Sequence, residues 1–181
     1  MEVVLDFAEK QRGVFQRMIV GALVTAIVLL FGALLNPFGF AVDWNASERL
    51  WVAAVSILSP ALLLMVSIGR LAMRRFYHAD DIDGGGLTHG SEEAKMLQSI
   101  LQNTLEQAVL AGFVYIAWVA IMPGSTMSVP LLAALLFALG RVLFLASYEK
   151  GAPWRGTGFA LTFYPTIFML VVVLITLMAG V

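Results

Sequence analysis

Two charged residues stand inside segments that are otherwise apolar enough to cross a membrane. Glu106 shares one helical face with Ser99 and Asn103, and Arg141 lies within a long apolar run. A charge at mid-membrane costs roughly 2.5–3.5 kcal/mol on the insertion scale, so such residues usually face the interior of a helix bundle and take part in function. We therefore expect Glu106 and Arg141 to contact each other between two helices.

The depths of these two charges agree when each is measured along its own helix. The rise from Val129, where one helix enters from the outer side, to Arg141 is roughly 18 Å. Counting back from Met122 places Glu106 about 24 Å from the same side. The gap of roughly 6 Å is within reach of an arginine that extends toward the inner interface. The alternative is a purely structural ion pair that locks two helices together.

Further polar residues lie where the apolar segments end on one side of the membrane. They predict an electropositive, hydrogen-bonding pocket, which suits a small polyanionic ligand next to an apolar one. The alternative is that basic residues only anchor helix ends to anionic lipid headgroups, and we prefer that alternative for Arg75 and Lys95. The residues of this predicted pocket are Arg70, Arg74, Asn103, Tyr148, Lys150 and Arg155.

The composition indicates the kind of elements that must hold these residues. The chain of 181 residues is 60% hydrophobic and 13% charged, with a net charge of −1 and a mean hydropathy of +0.89. Soluble domains are about 45–50% apolar and about 25% charged, so this balance indicates lipid as the solvent. The net charge gives no reason to expect a nucleic-acid partner. The absence of cysteine excludes disulfides, thiolate metal sites and a cysteine nucleophile.

Five apolar segments are candidates for transmembrane helices, because a bilayer core of roughly 30 Å needs about 20 residues. We therefore expect an all-α fold, a polytopic bundle of five transmembrane helices in one domain over residues 1–181. The third segment is too short unless it reaches back to Asn103. The predicted segments are Met18–Leu35, Leu50–Ile68, Ala108–Met122, Val129–Tyr148 and Phe159–Val181.

The distribution of basic residues predicts the orientation across the membrane. With the N-terminus inside, the inner segments hold nine basic residues and the outer segments hold only Arg49. We expect a multi-pass protein of the bacterial inner membrane, with a cytoplasmic N-terminus and an external C-terminus. The nine residues are Lys10, Arg12, Arg17, Arg70, Arg74, Arg75, Lys95, Lys150 and Arg155.

A loop between the second and third segments holds several groups that bind metals in other proteins. These groups are His78, Asp80, Asp81, Asp83 and His89. Their spacing matches no established pattern of metal ligands. We interpret the segment as a solvated acidic loop and expect no metal.

Three stretches resemble the MAPEG family, the membrane-associated proteins in eicosanoid and glutathione metabolism. They are Asn103-Thr-Leu-Glu106, the run from Gly140-Arg141 to Tyr148, and Gly151-Ala-Pro-Trp-Arg155. The resemblance covers about residues 50–181, which would form the family's four-helix core. Residues 1–49 would then hold an N-terminal segment and one additional helix.

The resemblance implies a homotrimer that binds glutathione as a co-substrate between neighbouring subunits, together with membrane lipids and a lipophilic small molecule. Asn103 and Glu106 match an Asn-x-x-Glu motif in the family's second helix. Arg141 and Tyr148 match an Arg-x6-Tyr motif in its third helix. Arg155 falls where the family has the arginine thought to stabilise the glutathione thiolate.

One further match and two departures concern the binding of glutathione. Arg70 matches a basic residue that contacts a glutathione carboxylate, and Arg74 lies one turn further along. Where glutathione-binding members commonly have an arginine this chain has Ser99, and where they often have a tyrosine it has Phe144. Both departures remove polar contacts to the peptide.

The function implied is a thiol-dependent transferase or peroxidase-like activity on a lipophilic co-substrate. The alternative is a lipid-binding or scaffold protein that keeps the family fold without glutathione activity.

Overall fold

The computed structural model describes residues 7–180 as five long helices joined by short connections, and each helix is long and apolar enough to cross a membrane. Short 3₁₀ turns at Gly124–Thr126 and Tyr148–Lys150 precede the last two helices. The predicted all-α bundle is confirmed, and the described residues contain no strand. The helices are α1 (Phe7–Leu35), α2 (Ala46–Tyr77), α3 (Glu92–Ile121), α4 (Ser128–Ser147) and α5 (Ala152–Met178).

Four of the helices, α1, α2, α3 and α5, are longer than their predicted apolar segments. The turns that extend α1, α2 and α3 are polar, so hydropathy does not detect them. Capping side chains define where α2 and α3 begin. Asn45 caps α2 and exchanges hydrogen bonds with Glu48 in a capping box. Ser91 caps α3 by accepting a hydrogen bond from the Ala94 amide. The predicted end of the last segment, Val181, lies outside the described residues.

The packing places α5 between α1 and α4, while α2 packs against α3 and α4. Because consecutive helices run in opposite directions, one end of the bundle gathers the starts of α1, α3 and α5 and the ends of α2 and α4. We call it the basic end, since it carries all nine basic residues assigned to the inner segments. The apolar core lies towards the other end and includes Ala111, Tyr115, Phe137 and Met169.

Two glycines, Gly140 in α4 and Gly158 in α5, allow the backbones of these helices to approach each other closely. A Cβ on Gly158 would lie 2.7 Å from the carbonyl oxygen of Gly140 and would overlap the backbone of Phe144. A Cβ on Gly140 would lie 2.8 Å from the carbonyl oxygen of Gly158. Small residues at helix interfaces let backbones approach in membranes, so this pair fixes the spacing of α4 and α5.

The Gly158→Ala variant is expected to lose about 1–3 kcal/mol of unfolding free energy, because the added methyl group meets backbone atoms that cannot move alone. Gly112→Ala is the matched control, since a Cβ there meets no atom within 4 Å. The control should be as stable as the wild type or slightly more stable, because alanine favours helix over glycine. Denaturant unfolding in a fixed detergent measures both; equal stability of the two variants would contradict the close-packing role.

Candidate functional site

A cavity of about 380 Å³ opens at the basic end between α1, α3, α4 and α5. Asn103, Tyr148 and Arg155, three of the predicted site residues, line it together with Ser99. The structure therefore brings together residues from three different elements that sequence spacing had predicted to share a pocket. The remaining lining residues are apolar or small: Val14, Met18, Phe144, Ala152, Gly156 and Phe159.

The connection between α4 and α5 explains why Tyr148 and Arg155 meet. Tyr148 opens the 3₁₀ turn, and Gly151 then adopts a φ of 95°, which glycine tolerates without steric cost. This reversal places Arg155 in the first turn of α5, with its guanidinium 4.6 Å from the centre of the Tyr148 ring. Within residues 7–180, Arg155 has no ion-pair or hydrogen-bond partner for its side chain, so its charge is available to a ligand.

Arg141 lies directly behind the cavity and organises its polar wall. Its side chain is fully buried and donates to Asn103 Oδ1 at 2.8 Å, to Thr104 Oγ1 at 3.3 Å and to Thr162 Oγ1 at 2.8 Å. Its Cζ also lies 4.5 Å from the centre of the Phe144 ring. Arg141 thus ties α4 to both α3 and α5.

The bond from Arg141 also fixes the orientation of the Asn103 amide. A guanidinium can only donate hydrogen bonds, so the atom that faces it must be the Asn103 oxygen. The amide NH₂ of Asn103 is then left to donate elsewhere. Together with the Tyr148 hydroxyl and the Arg155 guanidinium, it makes the polar side of the cavity rich in donors, which suits an anionic ligand.

The predicted contact between Glu106 and Arg141 is wrong within one chain. Glu106 is exposed, and its carboxylate accepts a hydrogen bond from Gln102 at 2.9 Å. Two residues at similar depths in the membrane can still point in different directions, because successive side chains around a helix are rotated by about 100°. Asn103 and Thr104 take the positions that face Arg141, and Glu106 points away from it.

Arg70 and Arg74 do not line the cavity of their own chain. Arg70 is exposed at the end of α2. Arg74 donates to Asp81 at 2.9 Å and also pairs with Glu93, so it holds the loop between α2 and α3. The role of Arg74 seen in one chain is therefore structural.

Asp81 is the residue around which that loop is ordered. Its carboxylate accepts hydrogen bonds from the Ser91 amide and the Ser91 hydroxyl, each at 2.7 Å. These bonds, with a further contribution from Arg74, lower the pKa of the Asp81 carboxyl to about 2. The loop that sequence reasoning interpreted as solvated is thus anchored by one buried acid.

Sequence reasoning missed several residues of the site, among them two that bind Arg141 and two that line the cavity from α1. Thr104 and Thr162 bind Arg141, and a threonine in an apolar helix opposite a buried arginine could have indicated this role. Val14 and Met18 belong to α1 and line the cavity. Their position follows only from how α1 packs, and the sequence carries no signal for that packing.

Comparison with known proteins supports one family assignment. The family model for MAPEG matches residues 49–175, which include most of α2, all of α3 and α4, and most of α5. No curated protein and no solved structure shows significant similarity to the chain. The match covers more than half of the chain and begins in the first turn of α2, so the chain belongs to the MAPEG family and carries α1 ahead of the matched region.

Proposed function

We propose that the protein is a membrane-embedded thiol-dependent transferase, or a peroxidase-like enzyme, that uses glutathione or a related thiol. The observation that carries the proposal is the unpaired guanidinium of Arg155 facing a cavity. Asn103 and Tyr148 add hydrogen-bond donors on the same side of that cavity. Membership of the family supports a glutathione-related function, and the donor-rich wall supports an anionic peptide ligand.

The chemical role of Arg155 would be to activate the thiol. A free thiol has a pKa near 8.5, so only a few per cent is thiolate at neutral pH. A fixed guanidinium beside the sulfur favours the anion and lowers that pKa. The Tyr148 hydroxyl would hydrogen-bond the ligand and hold the sulfur near Arg155.

The reaction that follows needs only an electrophile dissolved in the membrane. With an aryl chloride, the thiolate sulfur bonds to the ring carbon that carries chlorine. The carbon–chlorine bond then breaks, and chloride leaves with its electron pair. A lipophilic co-substrate would reach the site from the bilayer, because the cavity lies near the end of the membrane-crossing helices. In this proposal the basic end faces the cytoplasm of a bacterial inner membrane.

The exposed face of α3 supports assembly into the homotrimer that the family resemblance implies. Glu106 and Gln102 lie on that face among exposed Leu105, Val109 and Phe113. A carboxylate facing lipid at this depth would cost roughly 2.5–3.5 kcal/mol. A neighbouring subunit would cover Glu106, and its own exposed Arg70 would reach the cavity from across the interface.

Glutathione-dependent thermal stabilisation of the purified protein tests the proposal. Binding to the folded state alone adds about 1.4 kcal/mol at a ligand concentration of roughly ten times Kd, so the unfolding temperature should rise with millimolar glutathione. The matched control is the same tripeptide with the thiol replaced by a methyl group, which should stabilise less if the thiolate contributes to binding. No shift with glutathione or with other cellular thiols would contradict the proposal.

Two lining positions favour a second candidate, a lipid-binding or scaffold protein without thiol chemistry. Phe144 is buried against Arg141 and offers no hydroxyl, and Ser99 offers no charge to the cavity. This candidate predicts stabilisation by lipids and none by thiols in the same thermal assay.

A further inference from the structure

The helix that lies outside the family match forms one wall of the candidate site. Val14 and Met18 of α1 line the same cavity as Asn103, Tyr148 and Arg155. They stand on the apolar side, where Phe159 also lies. The cavity is therefore amphipathic, with hydrogen-bond donors on one side and a hydrocarbon surface on the other.

Several close contacts hold α1 in place as a fixed wall. Gly21 packs against Ala160 so closely that a Cβ would overlap it, and Gly13 lies against Pro153. The Arg17 guanidinium lies 4.2 Å from the centre of the Trp154 ring. These contacts lie on both sides of Val14 and Met18, so the two side chains cannot withdraw without unpacking α1 from α5.

We propose that α1 determines the length and bulk of the lipophilic co-substrate, whose apolar part lies against Val14 and Met18. This inference rests on the proposed thiol function and adds the helix that selects the co-substrate by the size of its aliphatic chain. The chain would extend from the sulfur near Arg155 along α1, where Met18 limits its length. A flexible thioether such as methionine adapts to chains of different shape.

The test uses S-alkylglutathiones, which carry the tripeptide and a chain on one sulfur, so they mimic the product. Unmodified glutathione and its S-alkyl derivatives of increasing chain length are titrated into the protein in lipid nanodiscs. In the wild type, affinity should rise by up to about fourfold per methylene group until the chain exceeds the cavity.

Two substitutions of Met18 and a matched control at Ile19 test whether the alkyl chain of the ligand lies against α1. Met18→Trp should remove most of the gain from long chains, and Met18→Ala should allow a longer chain to contribute. Ile19→Trp places the same indole on the neighbouring exposed position, which is 43% accessible, and should keep the wild-type dependence on chain length.

Three outcomes would overturn the inference. If glutathione binds but longer chains add no affinity, or if Met18→Trp and Ile19→Trp give the same chain-length profile, the proposed role of α1 is wrong while the thiol function stands. If neither glutathione nor any S-alkyl derivative binds, both proposals fail together. A shortened profile in Met18→Trp alone is the supporting result.

Discussion

The Arg155→Ala variant is expected to lose on the order of 100-fold in kcat/KM for conjugation of glutathione to an electrophilic dye near neutral pH. The charge of Arg155 favours the thiolate, and without it a thiol with a pKa near 8.5 is only a few per cent ionised. If the bound thiol has its pKa lowered by about two units, ionisation alone accounts for roughly a 25-fold difference. Loss of ligand positioning supplies the rest.

The pH dependence distinguishes this role from a loss of folding. Raising the pH to about 9 ionises most of a free thiol, so the gap between Arg155→Ala and the wild type should narrow to a few-fold. Arg12→Ala is the matched control, because Arg12 is an exposed basic residue at the same end that does not line the cavity. A deficit that stays constant across pH, or unchanged turnover in Arg155→Ala, would remove Arg155 from thiol activation.

The second large effect is expected on stability, when Arg141 is replaced by alanine. Arg141 is fully buried and donates to Asn103, Thr104 and Thr162. Hydrogen bonds from a charged group contribute about 1.5–3 kcal/mol each, but the cost of burying the guanidinium disappears as well. A net loss of about 2–4 kcal/mol of unfolding free energy follows, since the variant also leaves a cavity.

Two further variants sharpen this prediction. Arg141→Lys should be intermediate, because one ammonium cannot reproduce the forked contacts to α3 and α5. Val142→Ala should change stability by less than about 0.5 kcal/mol, since Val142 is exposed on the same turn of α4. Denaturant titration in nanodiscs measures all three. If Arg141→Ala and Val142→Ala are equally stable, Arg141 does not join the helices as described.

Hydropathy predicted the number of helices because every segment that crosses the lipid must be apolar and must satisfy its own backbone hydrogen bonds. A run such as Met18–Leu35 has no charge and satisfies its backbone hydrogen bonds within the helix. It can therefore be recognised as a transmembrane helix without knowledge of its tertiary contacts. The added turns of α2 and α3 could not be predicted in this way. They are polar, and loop contacts such as Arg74 with Asp81 and Glu93 help to hold them.

The sequence could predict the part of the candidate site in which residues close together along the chain are also close together in space. Tyr148 and Arg155 flank one short reversal at Gly151, so their contact depends on local geometry. Glu106 and Arg141 come from different helices, and the rotation of each helix about its own axis decides whether they meet. That rotation depends on the packing of the whole bundle, and for the same reason the sequence could not place Val14 and Met18 in the cavity.

The most direct test of the proposed function is the ionisation state of glutathione bound to the protein. The thiolate absorbs in the ultraviolet where the thiol does not, so a difference spectrum near neutral pH reports the anion. We expect saturating glutathione to produce a strong thiolate signal with the wild-type protein and only the few per cent expected of a free thiol with Arg155→Ala. Glutathione that binds the wild type but remains a thiol, or an equal thiolate signal in Arg155→Ala, would contradict thiol activation by Arg155.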